Sequence, residues 1–283
     1  MTFTSAYSTL SEKLMTVYDS REASIIARYI LEDVFNASFW SEEELNPDQI
    51  VRFDEVTQRL LKHEPWQYIG GYADFYGLKF KVNPSVLIPR PETEELVFVA
   101  LDFLKNNNVK SIMDIGTGSG IIPITIGIKA QQPLTLLAID ISVDALSVAH
   151  ENAETHDVFV EFGVFDFLDR SQWADLPKVD VIISNPPYIG KKEKSEMSAN
   201  VLDYEPHIAL FVKDDEMEFY EAIATFVAEY QDDGCFVLVE INEKYSQNVV
   251  ETFTNHGLQH VAIIKDMQGK DRMVSAVKKS LKQ

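Results

Sequence analysis

The run Val179-Asp-Val-Ile-Ile-Ser184 is apolar enough to be a buried strand, and it stops at Asn185-Pro186-Pro187-Tyr188. Each proline fixes its own φ and lacks an N–H, and the residue before a proline is pushed to extended geometry, so Asn185 is held in a stiff loop. The outcome is a pair of acceptors, Asn185 Oδ1 and the Pro186 carbonyl, beside one amide donor and the Tyr188 ring. That set suits a planar group bearing an NH2, an amino or amide nitrogen. A strand-ending Pro-Pro turn without chemistry has the same sequence, so the reading depends on its context.

The context is a glycine-rich turn. Lys110-Ser-Ile-Met-Asp-Ile115 reads as a short buried strand, Gly116-Thr117-Gly118-Ser119-Gly120 follows, and Ile121 to Ala130 is an apolar helix with Pro123 in its first turn, where proline is tolerated. A second apolar strand, Leu134 to Ile139, ends in Asp140, at the place where an acidic residue accepts bonds from ribose hydroxyls in nucleotide-binding α/β units. The dinucleotide fingerprint G-x-G-x-x-G is not met, because the glycines fall at 116, 118 and 120 and position 121 is Ile. The turn suits a nucleoside ligand without a phosphate, such as S-adenosylmethionine.

These residues carry a family likeness. Asp114-Ile-Gly-Thr-Gly-Ser-Gly120, Asp140, Asp166-Phe167, Asn185-Pro-Pro-Tyr188 and the upstream Leu87-Ile-Pro-Arg-Pro-Glu-Thr-Glu94 together resemble the peptide chain release factor N5-glutamine methyltransferases, the PrmC/HemK family. His63-Glu-Pro-Trp-Gln-Tyr-Ile-Gly-Gly71 and Asp74-Phe-Tyr-Gly77 resemble that family's interdomain segment, so the likeness covers nearly the whole chain. N-P-P-Y alone is shared with adenine and guanine amino-methyltransferases; the Leu87 to Glu94 segment narrows the choice. The resemblance implies methyl transfer from S-adenosylmethionine to the side-chain amide nitrogen of the glutamine in the Gly-Gly-Gln motif of class I release factors. It also implies an S-adenosylmethionine-dependent methyltransferase (Rossmann-like) α/β sheet with a small N-terminal helical domain and a β-hairpin linker.

Roles follow from that likeness and from the chemistry of each side chain. Gly116, Thr117, Gly118, Ser119 and Gly120 admit the methionine part, Asp140 holds the ribose hydroxyls, Asp166 accepts from the adenine amino group and Phe167 packs on the purine. Asn185, Pro186 and Tyr188 are the expected catalytic residues, Asn185 is also an expected cofactor contact, and Asn185, Pro186, Pro187, Tyr188 and Arg90 are the expected substrate contacts. Arg90 reads equally well as a solvated side chain on a rigid linker. An amide nitrogen is a poor nucleophile, its lone pair tied into C–N resonance. The expected contribution is therefore positioning of that nitrogen in line with the sulfonium methyl, at about 3 to 3.5 Å, rather than a strong general base.

The elements that must hold these groups follow from periodicity. Apolar residues recur at helical spacing over Tyr7 to Asp19, Ser20 to Phe35 and Pro47 to His63. The division read from this is a helical bundle over residues 1–67 serving substrate recognition, a β-hairpin linker over 68–90 and a catalytic portion over 91–283. From Pro91 onward helices alternate with buried strands, the strands being 110–115, 134–139, 158–163, 179–184, 235–241, 259–264 and 272–277, which means a mostly parallel sheet covered on both faces. The final pair brings in one antiparallel strand. The stretch 190–204, rich in Lys and Glu at its start, reads as a loop over the site or a solvated surface loop.

Composition sets bounds. The 283 residues are 46% hydrophobic, ample for a sizeable core, and the net charge is −20 with a pI near 4.6. An extended phosphate-neutralising face does not fit that balance, which argues against direct nucleic-acid binding and against the alternative of an amino-methyltransferase acting on adenine or guanine. A non-catalytic adapter would not need Asn185 and Pro186. Cys235, the one cysteine, lies in an apolar run and reads as a small buried hydrophobe, and the six histidines show no ligand spacing, so no metal is expected. No secretory or transit signal and no membrane span is read, so the expectation is a cytoplasmic monomer whose partners are release factors.

Overall fold

A computed structural model describes residues 1–190, 193–194, 197–212 and 215–279. The chain divides into two compact units, Met1–Tyr72 with Met197–Tyr204, and Ala73–Glu196 with Glu205–Gln283.

The first unit is helical: α1 (Phe3–Leu14), α2 (Ser20–Tyr29) continued by a π turn over Ile30–Val34, α3 (Pro47–Leu60) and α4 (Trp66–Gly70). Caps set the boundaries. The Thr2 side chain accepts from the Ser5 N–H and Asp19 accepts from Arg21 and Glu22 N–H, while Asn46 and Gln49 form a reciprocal capping box ahead of Pro47. Thr2 therefore starts the first helix four residues before the expected Tyr7. Leu10, Leu14, Ile30, Leu31, Phe53 and Leu60 close its core. Residues 66–70, placed partly in a hairpin by the sequence, are helical and end at Gly71 with φ of 79°, a left-handed conformation that favours glycine.

The second unit begins with a hairpin, β1 (Tyr72–Phe75) and β2 (Leu78–Lys81), whose first residue, Tyr72, still groups with the helical unit. There follow α5 (Pro91–Asn106), β3 (Ser111–Ile115), α6 (Ile121–Lys129), β4 (Thr135–Asp140), α7 (Val143–Thr155), β5 (Glu161–Val164) and β6 (Val181–Ser184). Helix α8 (Ala199–Tyr204) groups with the first unit, where the Tyr204 hydroxyl donates to the Lys62 carbonyl at 2.9 Å. The chain then returns through α9 (His207–Leu210), α10 (Glu218–Tyr230), β7 (Phe236–Glu240), α11 (Ser246–Asn255), β8 (Gln259–Lys265) and β9 (Asp271–Val277).

Seven strands form one sheet in the order β5-β4-β3-β6-β7-β9-β8, parallel except for β9, the expected antiparallel strand. Successive strand residues point to opposite faces. Ile112, Ile183 and Leu238 enter one core with α5 and α6, and Met113, Ile182 and Val237 enter the other with α10 and α11. Both faces are thus covered, which is why these strands read as unbroken apolar runs. One strand departs from expectation: β5 covers 161–164 rather than 158–163. The Val158 N–H is taken by the Ala153 carbonyl at the end of α7, and Phe159 is 86% exposed, so these residues leave the helix before the strand begins.

Candidate active site

The parallel register lines up one row at the carboxyl ends of four strands. Ile115 is level with Ile139 and with Ser184, and Ser184 with Val239. The next residues in each chain segment are Gly116, Asp140, Asn185 and Glu240. This is the edge where ligands bind in open α/β sheets, and a cavity is lined there by residues of the glycine turn, Asp140, Asp166, Phe167, Asn185 and Arg90.

The glycine turn is held from beneath. Gly116 and Thr117 donate to the Ile139 carbonyl at 2.9 and 3.1 Å, Gly118 donates to Asp140 Oδ2 at 2.8 Å, and Asn152 of α7 donates to the Ser119 carbonyl at 2.9 Å. Gly116 and Gly118 have positive φ of 74° and 55°, and a Cβ on either would meet nothing within 4 Å, so both open onto space. Gly120 differs: its φ is 79° and a Cβ would lie 3.1 Å from Ala149 Cβ on α7, so it allows close helix packing.

Asp140 thus works on the protein as well as facing the cavity. Its Oδ1 accepts from Ser142 N–H at 2.9 Å, and burial raises its pKa against the lowering effect of these backbone donors. Each carboxylate oxygen keeps acceptor capacity for a hydroxyl. Asp166 lines the same wall with its Oδ1 accepting from Leu168 N–H at 3.1 Å. Phe167 also lines the wall but is only 5% exposed, its ring 5.6 Å from Trp173 and 5.4 Å from Phe226. Most of that ring is spent on the core, and Phe165 is a second aromatic in the wall.

Asn185 and Pro187 line the cavity, whereas Pro186 is buried and Tyr188 is half-buried behind the loop. Asn185 Nδ2 donates to Thr93 Oγ1 at 3.0 Å, and Thr93 Oγ1 donates to Glu240 Oε2 at 2.8 Å. One of the two amide hydrogens is thereby committed inside the protein, and Oδ1 is left for a ligand. The Tyr188 hydroxyl donates to Glu240 Oε1 at 3.4 Å, and burial together with the Glu240 charge raises its pKa. The ring expected to face a flat amide is packed on the core side.

Within the Leu87 to Glu94 segment Ile88, Arg90, Thr93 and Glu94 are held by hydrogen bonds. Arg90 Nη2 donates to Glu205 Oε1 at 2.6 Å and the Ile88 N–H to Glu205 Oε2 at 3.2 Å, while the Glu205 side chain is buried. Arg90 lines the cavity as a paired cation rather than a solvated one. Pro91 opens α5, Thr93 turns inward, and Glu94 Oε1 accepts the Tyr76 N–H at 2.7 Å from the hairpin turn. The Lys191, Lys192, Ser195 and Glu196 positions of the expected charged loop lie outside the described residues.

Thr93, Glu240, Glu205 and Asp114 were given no role from sequence. A signal existed for two of them, since Asp114 sits in and Glu240 ends an otherwise apolar buried strand, as Asp140 does. Asp114 is fully buried, neither carboxylate oxygen has a hydrogen-bond partner, and burial first, with the Asp140 charge added, pushes it up to about 7 although Thr117 nearby pulls it down.

Unpartnered acceptors test the fit of a cationic nucleoside. Thr117 Oγ1 and Glu218 Oε2, both on wall residues, have no partner among the described residues. Together with Asp140 and Asp166 they make an acceptor-rich, anionic wall, with Asp114 buried beneath the turn. This fits a ligand carrying a sulfonium, an ammonium, ribose hydroxyls and an exocyclic amine. Among the described residues no group of three or more His, Cys, Asp or Glu could hold a metal.

Residues 6–71 match the family described as PrmC N-terminal domain, and residues 98–204 the Methyltransferase small domain. A release factor glutamine methyltransferase of Bacteroides thetaiotaomicron is 42% identical over 224 residues, 79% of each chain. Its counterpart in Streptococcus pneumoniae is 40% identical over 83% of each chain, and that of Flavobacterium psychrophilum 36% identical over 93% of this chain and 94% of its own. Among solved structures, the hMettl16 catalytic domain in complex with a MAT2A 3'UTR hairpin superposes with a TM-score of 0.57 over 90% of each chain at 14% identity, a likeness of fold.

Proposed function

The chain belongs to the release factor glutamine methyltransferase family, whose members use S-adenosylmethionine, and on that premise we propose that it methylates the side-chain amide nitrogen of the glutamine in the Gly-Gly-Gln motif of class I peptide chain release factors. The observation that carries this reading is the orientation of Asn185. Its NH2 is engaged by Thr93 at 3.0 Å, so the atom it offers the cavity is an acceptor. A primary amide brings two N–H donors; a carboxylate brings none.

Bound S-adenosylmethionine supplies the methyl as an electrophilic carbon on sulfur. The chain supplies position. Asn185 Oδ1 accepts one substrate N–H and the Pro186 carbonyl is the second proposed acceptor, which turns the nitrogen toward the methyl group. Asp140 and the glycine turn fix the nucleoside, and the acidic side chains lining the cavity, Asp140, Asp166 and Glu218, favour the cationic cofactor over its neutral product. Both acceptors on the nucleophile are neutral, so the amide proton leaves only after the N–C bond has formed and the S–C bond has broken, passing from the methylated nitrogen to solvent.

The helical unit formed by residues 1–72 and 197–204 is proposed to recognise the protein substrate. No helix among the described residues is long and apolar enough to cross a membrane, and the net charge of −20 supports a protein rather than a nucleic-acid partner. A monomer acting in the cytoplasm is proposed. The test is mass spectrometry of a release factor incubated with the chain and labelled cofactor. One methyl on the glutamine of Gly-Gly-Gln is expected, and none when that glutamine is replaced by Glu. Faster methylation of RNA or DNA than of any release factor would overturn the assignment.

A further inference from the structure

The Asn185 loop is gripped by a residue from a neighbouring strand. Glu240 ends β7, one residue beyond the row shared with β6, and its side chain is buried. One oxygen accepts from Thr93, which accepts from Asn185; the other lies 3.4 Å from the Tyr188 hydroxyl. Glu240 itself is pinned, because the Tyr220 hydroxyl donates to its carbonyl at 3.0 Å. A single buried carboxyl therefore holds both ends of Asn185-Pro-Pro-Tyr188.

The direction of these bonds has a chemical consequence. The two ends of an asparagine amide are nearly the same shape, and a half turn about χ2 exchanges acceptor for donor. A substrate NH2 facing the wrong end would meet another NH2. The Thr93 hydroxyl has one hydrogen, and it is given to Glu240 Oε2, so toward Asn185 it can only accept. Nδ2 must then face Thr93 and Oδ1 must face the cavity.

We propose that Thr93 and Glu240 are positioning residues for methyl transfer: the carboxyl orients the Thr93 hydroxyl, and the hydroxyl sets which end of the Asn185 amide meets the substrate. The proposal rests on the amide-methylation reading above and adds to it the groups that make Asn185 an acceptor. It also gives a chemical task to Thr93 within the Leu87 to Glu94 segment, where Arg90 and Glu94 have structural partners.

The test compares the parent, T93V, T93S, E240Q, N185A and the double variant N185A/T93V, each with S-adenosylmethionine and a release factor carrying Gly-Gly-Gln. T93V keeps the volume and removes the hydroxyl; single-turnover methyl transfer should fall about a hundredfold, the scale of a mispositioned reacting group. Cofactor Kd and release-factor KM should change less than about threefold, and T93S should recover to within about threefold of the parent. E240Q, which can offer Thr93 a donor as well as an acceptor, should fall between parent and T93V. Because Thr93 acts through Asn185, N185A/T93V should be no slower than N185A. Parent-like turnover by T93V, or a T93V loss of the same size in the N185A background, would overturn the proposal. A second readout needs no substrate: the side-chain 15N–1H signals of Asn185, identified by their loss in N185A, should be well dispersed and slow to exchange in the parent and T93S but not in T93V. Signals unchanged in T93V would overturn the proposal, whereas a parent that leaves the release factor unmethylated would overturn the reading beneath it and leave this spectrum to decide the Thr93 bond.

Discussion

Replacing Asp140 by Ala removes the acceptors proposed for two ribose hydroxyls and strips Gly118 and Ser142 of the partner for their N–H groups. A charge-assisted hydrogen bond is worth about 1.5–3 kcal/mol, so cofactor affinity should fall at least about tenfold. Calorimetric titration measures it, and a Kd equal to the parent's would remove Asp140 from the nucleoside site. Asn185→Ala should behave differently, with cofactor binding close to the parent's and most methyl transfer gone, because the amide acts on the nucleophile; single-turnover rates that match the parent would refute that assignment. Both residues could be read in the sequence because each ends a buried strand within a short local pattern. Thr93, Glu205 and Glu240 could not. Their partners lie 92, 115 and 147 residues away along the chain, and only the tertiary packing of helix α5, the sheet and the segment after α8 brings them together. The Tyr188 ring was legible as an aromatic at the site, but its half-buried place beside Glu240 is decided by packing.

The turn between β3 and α6 separates two uses of glycine. At Gly118 a Cβ would meet nothing within 4 Å, so Gly118→Ala carries only the strain of a positive φ, about 1–2 kcal/mol, and puts a methyl group where the turn faces open space. At Gly120 a Cβ would come 3.0 Å from Ile124 Cδ1 and 3.1 Å from Ala149 Cβ, pushing α7 from the turn. Gly118→Ala should therefore lose more cofactor affinity than stability, and Gly120→Ala more stability than affinity. Thermal unfolding with and without cofactor reads both, and equal melting temperatures for the two variants would defeat the distinction. The long elements that flank this turn were legible from their 3.6-residue and apolar-run patterns. The short ones were not: α8 and α9 are six and four residues long, too short to show a period, and the start of β5 was obscured by Val158, whose N–H closes α7.

Charge acts on the molecule as a whole. Alternating apolar strands and helices made the fold class readable, and the net charge of −20 is set by composition, but how far burial shifts an individual carboxyl was not visible in the sequence. Asp114 is pushed up to about 7 by burial, so the folded chain keeps a proton that the unfolded chain, with that carboxyl at its ordinary value of 3.8, gives up. For a raised carboxyl the sign is fixed: the stabilisation is full below the unfolded value and is lost as pH rises through the folded one. Stability of the cofactor-free chain should then fall between about pH 4 and about pH 7 and level off above, by several kcal/mol at ~1.4 kcal/mol per pKa unit. The lowered carboxyls of Asp169, Asp266 and Asp271 act in the opposite sense, and only at more acid pH, where they take up protons. Repulsion among surface acids adds to the fall above pH 5, but that part is screened by salt with a Debye length of about 10 Å at 0.1 M, whereas a buried carboxyl is not. Melting temperatures measured across this range at low and high salt should accordingly show a decline that salt reduces and does not abolish. Asp114→Asn, neutral at every pH, should remove part of the salt-resistant remainder. A slope in that variant identical to the parent's would mean that Asp114 is ionised throughout, and the buried proton would have to be reassigned.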